Sequence, residues 1–194
     1  RKDIFRFAGI HHSHLEYENT LQVPLKKSII HRIPWLLVGL IGIMLMAAFI
    51  SLFESVLEQY LILAFFVPAI VYLSSALGTQ IQTLYIRDLA IMREELDSKK
   101  YLLKQMSISL VMSLIISLIM FLIISLFWKQ PNLSFVISLA AFIALIITSV
   151  TAFLTTFIIK KLGYDPAFGS GPFATIISDA TSIIIYFAVV SWLL

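Results

Sequence analysis

Five long apolar stretches, separated by short polar segments, dominate the chain. They run approximately from Pro34 to Phe53, Tyr60 to Gly78, Met106 to Trp128, Leu133 to Ile159 and Pro172 to Leu194. Each is close to the roughly 20 residues that an α-helix needs to cross about 30 Å of hydrocarbon. The pattern therefore predicts an all-α integral membrane protein, with residues 34–194 forming a domain of five transmembrane helices.

Residues 1–33 have a different character, and we interpret them as an amphipathic cytoplasmic segment that leads into the membrane. Ile4, Phe5 and Phe7 are apolar positions in this segment, and Asp3 is available as a helix cap. The run His11, His12, His14 is compatible with metal binding, but no carboxylate accompanies it in an identifiable geometry. A solvated polar turn is the interpretation we favour for these histidines.

Composition supports the membrane assignment and excludes several kinds of chemistry. The chain is 60% hydrophobic with a mean hydropathy of +0.97, and it contains no cysteine. Disulfides, thiolate catalysis and zinc–thiolate sites are therefore excluded. The net charge of +3 does not indicate a nucleic-acid partner, because the basic residues lie at the ends of the apolar segments, where they specify topology.

The basic residues alternate between successive connections. Six precede the first span, five lie between the second and third spans, and two follow the fourth, whereas the first connection has none and the third has only Lys129. Positive charge favours the cytoplasmic side of a membrane. The distribution predicts a multi-pass protein of the inner or plasma membrane with a cytoplasmic amino terminus and an extracytoplasmic carboxyl terminus.

Asp179 is the one formal charge within the last apolar stretch. A carboxylate at the centre of a membrane helix costs about 2.5 to 3.5 kcal/mol on insertion scales unless it faces water, a partner or a cation. It belongs to a polar series at helical three- and four-residue steps, which predicts one shared helix face: Thr175, Ser178, Asp179, Ser182 and Tyr186. We therefore predict that Asp179 is a functional residue.

Three classes of protein are compatible with a membrane carboxylate. A cation channel or transporter would use Asp179 to bind its ion. A noncatalytic assembly or sensor subunit would use it to lock helices together. An intramembrane hydrolase would need a catalytic partner in another span, and none is evident. We do not expect an enzyme.

A polar run continues out of the second span and leads to Arg87 and Asp88; it consists of Gly78, Thr79, Gln80, Gln82 and Thr83. Such a run indicates either a pore mouth or a hydrogen-bond network between helices, and the sequence leaves both open. We expect the segment from Thr79 to Gln105 to connect two spans, with Glu94 to Lys100 as a solvated helical loop.

The order of several short motifs resembles the transmembrane domain of the MgtE family of magnesium channels and transporters. The similarity covers nearly the whole chain, and its order and spacing are more specific than any single element. The matching segments are Arg32-Ile33-Pro34-Trp35, Phe53-Glu54, Phe66-Val67-Pro68, Gly78-Thr79-Gln80, Arg87-Asp88-Leu89-Ala90, Gly163-Tyr164-Asp165-Pro166 and Ser170-Gly171-Pro172 followed by Thr175 and Asp179.

The resemblance implies a homodimer of five-helix subunits, with an ion path on the two-fold axis lined mainly by the second and fifth spans. It assigns Asp179 as the cation-selecting carboxylate, and Gly78, Thr79 and Gln80 as the end of a pore-lining motif. Ser75, Thr175, Ser178 and Ser182 are further candidate pore-lining residues, since their hydroxyls can hydrogen-bond to the water shell of an ion.

The resemblance also implies the transported ion and the partners. Magnesium is the expected ion, with cobalt and manganese as alternatives, because this chain has Ser75-Ala76 where the family usually has Gly-Asn. The expected partners are a second copy of the chain, membrane lipid, and cytosolic magnesium-sensing domains that lie outside these 194 residues.

Overall fold

All of the secondary structure that can be described is helical. The computed structural model describes residues 24–92, 96–162 and 172–194. These contain six helices: α1 Leu25–Ser51, α2 Glu54–Gln59, α3 Ile62–Met92, α4 Ser98–Trp128, α5 Pro131–Lys161 and α6 Pro172–Leu193. The predicted all-α class is confirmed. The interpretations of Asp3 and the three histidines, and the motif at Gly163, fall outside the described residues.

Within the described residues, four helices are long and apolar enough to cross a membrane: α3, α4, α5 and the part of α6 from Ala174 to Leu193. They correspond to the second to fifth predicted spans. In α1 the apolar part is the shorter segment Leu36–Ser51, although the helix itself is 27 residues long. Four of the five predicted spans are thus matched by long apolar helices, and the first remains a prediction.

The helices extend further into the polar segments than the hydropathy pattern predicted. α1 begins at Leu25, α3 runs on past Gly78 to Met92, and α4 begins at Ser98 instead of Met106. Most of the predicted connection from Thr79 to Gln105 is therefore helical. Hydropathy marks where a chain leaves hydrocarbon, whereas a helix satisfies its own backbone groups and can continue into water.

The start of α4 shows why that helix begins where it does. Asp97 is the residue before the helix, and its Oδ1 accepts hydrogen bonds from the backbone N–H groups of Lys99 at 3.0 Å and Lys100 at 3.1 Å. Amide groups in the first turn of a helix lack partners within that helix, so a side-chain acceptor fixes the start. The charged residues predicted to form a loop thus include a helix cap.

α5 is the central helix of the bundle and packs against α3, α4 and α6, while α1 packs against α6. Small side chains let membrane helices approach closely. α5 presents such side chains at every fourth position, each exposed by 1% or less: Ala140, Ala144, Thr148, Ala152 and Thr156. This surface brings the neighbouring helices α3 and α6 together around α5.

Two apolar clusters of buried residues fill the interior of the described bundle. One cluster contains Ile62 and Ile70 of α3 together with Phe187 of α6. The other contains Leu77 and Ile81 of α3 with residues of α5. Along α3 the boundary between the clusters lies at Ser74 and Ser75, and this is the level at which Asp179 joins the bundle.

Candidate functional site

Asp179 lies on α6 at the contact between α6 and α3, and its side chain is half-buried. The Ser75 hydroxyl of α3 donates a hydrogen bond to Asp179 Oδ1. Among the residues that the structure describes, this is the only hydrogen bond to the carboxylate, and no lysine or arginine forms a salt bridge with it. Because one hydroxyl offsets little of the desolvation cost of a carboxylate, Asp179 has capacity for a further partner.

Gly78 is buried beside this pair, where α3 approaches both α5 and α6. A Cβ atom placed on Gly78 would lie 3.2 Å from Ser178 Oγ, 3.4 Å from Ala152 Cβ and 3.6 Å from Thr148 Cγ2. A larger residue would have to push Ser178 or its helix aside. Glycine therefore allows α6 to approach α3 closely enough for the Ser75 hydroxyl to reach Asp179.

The polar residues of α6 do not all point in one direction. Ser178, Ser182 and Tyr186 are buried inside the protomer, whereas Thr175 is exposed. The Ser182 hydroxyl donates to the backbone carbonyl of Asp179 at 2.8 Å, and the Tyr186 hydroxyl donates across the bundle to the carbonyl of Leu63 at 2.9 Å. Tyr186 thus joins α6 to the first turn of α3.

The predicted site residues therefore separate into two groups, with Ser75 and Asp179 at the boundary between them. Gly78, Ser178 and Ser182 lie within the bundle, and Thr79, Gln80 and Thr175 lie on its surface. The structure brings Ser75, Gly78, Ser178 and Asp179 together and leaves the second group facing outward. Their role as pore-lining residues stays a prediction.

A polar surface runs along α3 and includes two residues of the second group, Thr79 and Gln80. It consists of exposed residues that recur at helical three- and four-residue steps: Tyr72, Thr79, Gln80, Thr83 and Arg87. We call it the exposed α3 face. Tyr72 was not predicted as a site residue, although its spacing of seven residues before Thr79 places it on the same side of the helix. Polar side chains on a transmembrane helix are unfavourable against lipid.

The described residues contain no group of three or more His, Cys, Asp or Glu side chains that would hold a metal ion. Asp179 thus offers a single carboxylate, with hydroxyl groups beside it. Magnesium retains several of its waters and is often bound through only one or two carboxylates. The arrangement suits a hydrated divalent cation better than a dehydrated ion in a complete protein cage.

These features define a helical membrane protein with an ionisable residue inside its bundle, an arrangement that marks ion and proton pathways. Residues 67–189 match the sequence profile of the MgtE family, which is described as a divalent cation transporter. The chain belongs to the MgtE family. That description is of a transporter and not of an enzyme, in agreement with the sequence analysis.

Three relatives named magnesium transporter MgtE are similar to this chain. The protein of Enterococcus faecalis is 33% identical over 91% of this chain and 39% of its own length. That of Bacillus subtilis is 32% identical over 81% of this chain and 35% of its own. That of Thermus thermophilus is 30% identical over 84% of this chain and 36% of its own length. The chain therefore spans less than half the length of these relatives.

Proposed function

We propose that this chain forms the membrane pathway of a divalent cation transporter whose ion is magnesium, with cobalt or manganese as the alternatives. Family membership supports transport of divalent cations, and three relatives carry the name magnesium transporter. The half-buried Asp179, which has one hydrogen bond and no basic partner in the described chain, supplies the negative charge that such an ion needs. This carboxylate is the observation that carries the proposal.

The working unit in this proposal is a homodimer with the ion path on its two-fold axis. The exposed α3 face supports it, because Thr79, Gln80 and Thr83 lie on the outside of a single protomer. Contact with a second copy across a water-filled path would remove these polar groups from lipid. α3 and α6 of both copies then line the path, and two Asp179 carboxylates face one dication.

The remaining topology follows from the same proposal. α1 forms the first of the five spans, and its close contact with α6 supports this, since a Cβ atom placed on Gly42 would lie 2.9 Å from Ile176 Cγ2. The protein lies in the inner or plasma membrane with its amino terminus in the cytoplasm. Cytosolic magnesium-sensing domains, where they are attached, would act on this pathway from the cytoplasmic side.

Replacement of Asp179 by asparagine tests the proposed function. Asp179→Asn keeps the size and an oxygen acceptor for Ser75 but removes the charge. We expect divalent-cation flux into proteoliposomes to fall by roughly tenfold or more, because the ion loses its principal electrostatic partner. Asp97→Asn is the matched control: it removes a carboxylate from the α4 cap, and asparagine caps helices equally well.

The oligomeric state of each variant is measured before its flux. Parent-like flux from a correctly assembled Asp179→Asn protein would contradict the proposed site, and absence of flux from the parent would contradict the proposed function.

A second function, that of a membrane assembly subunit, is favoured by the hydrogen bond between Ser75 and Asp179, because it joins α3 to α6. In that case the pair locks two helices together and no ion is bound. Asp179→Asn would then leave the phenotype intact, whereas Ser75→Ala would weaken the bundle. The two functions therefore give opposite results for Asp179→Asn.

A further inference from the structure

Arg87 and Asp88 form an ion pair between adjacent residues near the end of α3. Both Nε and Nη2 of Arg87 reach the same carboxylate oxygen, Asp88 Oδ1, at 2.9 Å and 2.8 Å. The arginine side chain is 55% exposed and that of the aspartate 24%. Adjacent residues on a helix do not face each other. The guanidinium group must therefore lean around the helix to reach Asp88.

The position of Arg87 relates this pair to the exposed α3 face. Arg87 is the last residue of the exposed α3 face and lies eight residues beyond Thr79, or about 12 Å along the helix axis. α3 has 31 residues and is therefore about 46 Å long, which exceeds the roughly 30 Å of hydrocarbon. Arg87 therefore lies near the boundary between hydrocarbon and water, on the exposed α3 face.

An arginine at this position carries a permanent positive charge that acts on a passing cation. Its guanidinium group stays protonated in proteins, so its charge cannot be removed by deprotonation. An unpaired arginine at the end of a cation path repels a dication, and an arginine in or near a pore is one of the known electrostatic barriers to cations. Asp88 compensates that charge and draws the guanidinium group sideways.

We propose that the Arg87–Asp88 pair sets the electrostatic barrier at one end of the cation path. Paired, Arg87 is neutralised and held beside the exposed α3 face; unpaired, it presents a positive charge to the ions that enter or leave. The inference rests on the proposed function, since it requires that α3 line the path. It adds two residues that control flux without binding the ion at the Asp179 site.

A double-mutant cycle tests the pair through the direction of its effects. We expect Asp88→Asn to reduce magnesium flux into proteoliposomes by about tenfold at low ionic strength, because it leaves Arg87 uncompensated. Arg87→Gln should give flux equal to or above that of the parent. The double variant should recover the flux of Arg87→Gln, because no positive charge remains for Asp88 to compensate.

Two further measurements make the result specific. Added salt should relieve most of the Asp88→Asn defect, because exposed charges are screened within about 10 Å at 0.1 M ionic strength. Lys100→Gln is the matched control, since Lys100 is an exposed basic residue of α4 that pairs loosely with Asp97 at 3.9 Å and lies off the exposed α3 face. Its flux should remain within about twofold of the parent value.

The competing explanations give different patterns in the same assay. If Arg87 only anchors the helix at the lipid surface, Arg87→Gln loses flux and Asp88→Asn does not. If Asp88 itself attracts cations, the double variant stays as low as Asp88→Asn. Either pattern overturns the inference while the proposed function stands, provided that the parent conducts and Asp179→Asn does not. A parent without flux overturns both.

Discussion

α3 and α4 are both apolar helices of 31 residues, yet they differ in where their polar side chains face. Beyond Ser107 the polar residues of α4 turn inward, and three of them are nine-tenths or more buried: Ser109, Ser113 and Ser117. Its outward side is apolar, as at Leu114 and Leu118. In α3, Thr79, Gln80 and Thr83 face outward, whereas Gln82 is buried against α5. Similar amounts of apolar sequence therefore produce two different surfaces.

The difference distinguishes polar residues that pack two helices together from polar residues that need a functional explanation. Small hydroxyl residues that face a neighbouring helix allow close contact, which is a sufficient reason for the α4 serines. That reason does not apply to Thr79, Gln80 and Thr83, because they face outward from the protomer. An outward polar surface on a membrane helix needs water or another protein, and we have proposed both at the axis of a dimer.

The largest expected effect comes from placing a charge on each outward surface. Leu118→Asp puts a carboxylate on the apolar side of α4 and should cost about 2.5 to 3.5 kcal/mol of insertion free energy, so that little folded protein reaches the membrane. Thr79→Asp should be tolerated, because the exposed α3 face is hydrated in the proposed dimer. The yield of monodisperse protein extracted from membranes measures both variants.

Equal yields for these two variants would contradict the distinction between the surfaces. A low yield for Thr79→Asp together with a normal yield for Leu118→Asp would indicate that the exposed α3 face contacts lipid.

A smaller effect is expected when side-chain volume is added to the two helices. Ser113 is fully buried against α5, so Ser113→Ile should overpack the contact and lower the free energy of unfolding by about 1 to 3 kcal/mol. Thr83→Ile makes a similar change in volume on the exposed α3 face and should leave stability unchanged in a single protomer. Thermal unfolding in detergent compares the variants, and equal losses would show that both positions are packed.

The smallest effect concerns the loss of single hydroxyl groups. Ser113 Oγ is buried without a hydrogen-bond partner, so Ser113→Ala should be neutral or slightly stabilising. Ser75→Ala removes the donor to Asp179 and should destabilise the bundle by about 0.6 kcal/mol, the average for hydrogen bonds between membrane helices. The shift in unfolding temperature shows whether each variant is more or less stable than the parent. A stabilising Ser75→Ala would argue against a structural role for that hydrogen bond.

The Ser75 variant also bears on ion choice. The Ser75 hydroxyl is the group that contacts the Asp179 carboxylate, so Ser75 lies next to the proposed ion site. A change in the flux ratio of magnesium to cobalt in Ser75→Ala, without loss of assembly, would connect that hydrogen bond to selectivity.

Much of the fold and part of the site could be predicted from sequence, because both depend on local patterns. Apolar runs located the helices α3 to α6, the isolated charge identified Asp179, and motif order indicated the family. The helix ends of α3 and α4 could not be found in this way. Hydropathy reports transfer into lipid, whereas a helix end depends on capping and on contacts with other helices, as Asp97 shows.

The sequence by itself determined that the protein is helical, that it lies in a membrane, and which carboxylate lies within a membrane helix. The tertiary structure decided which polar groups face inward and which face outward. Gly78, Thr79 and Gln80 are consecutive in sequence, but Gly78 packs against Ser178 while the other two are exposed. The physical reason is that a helix turns successive residues in different directions, so the neighbouring helices α5 and α6 decide which side is covered.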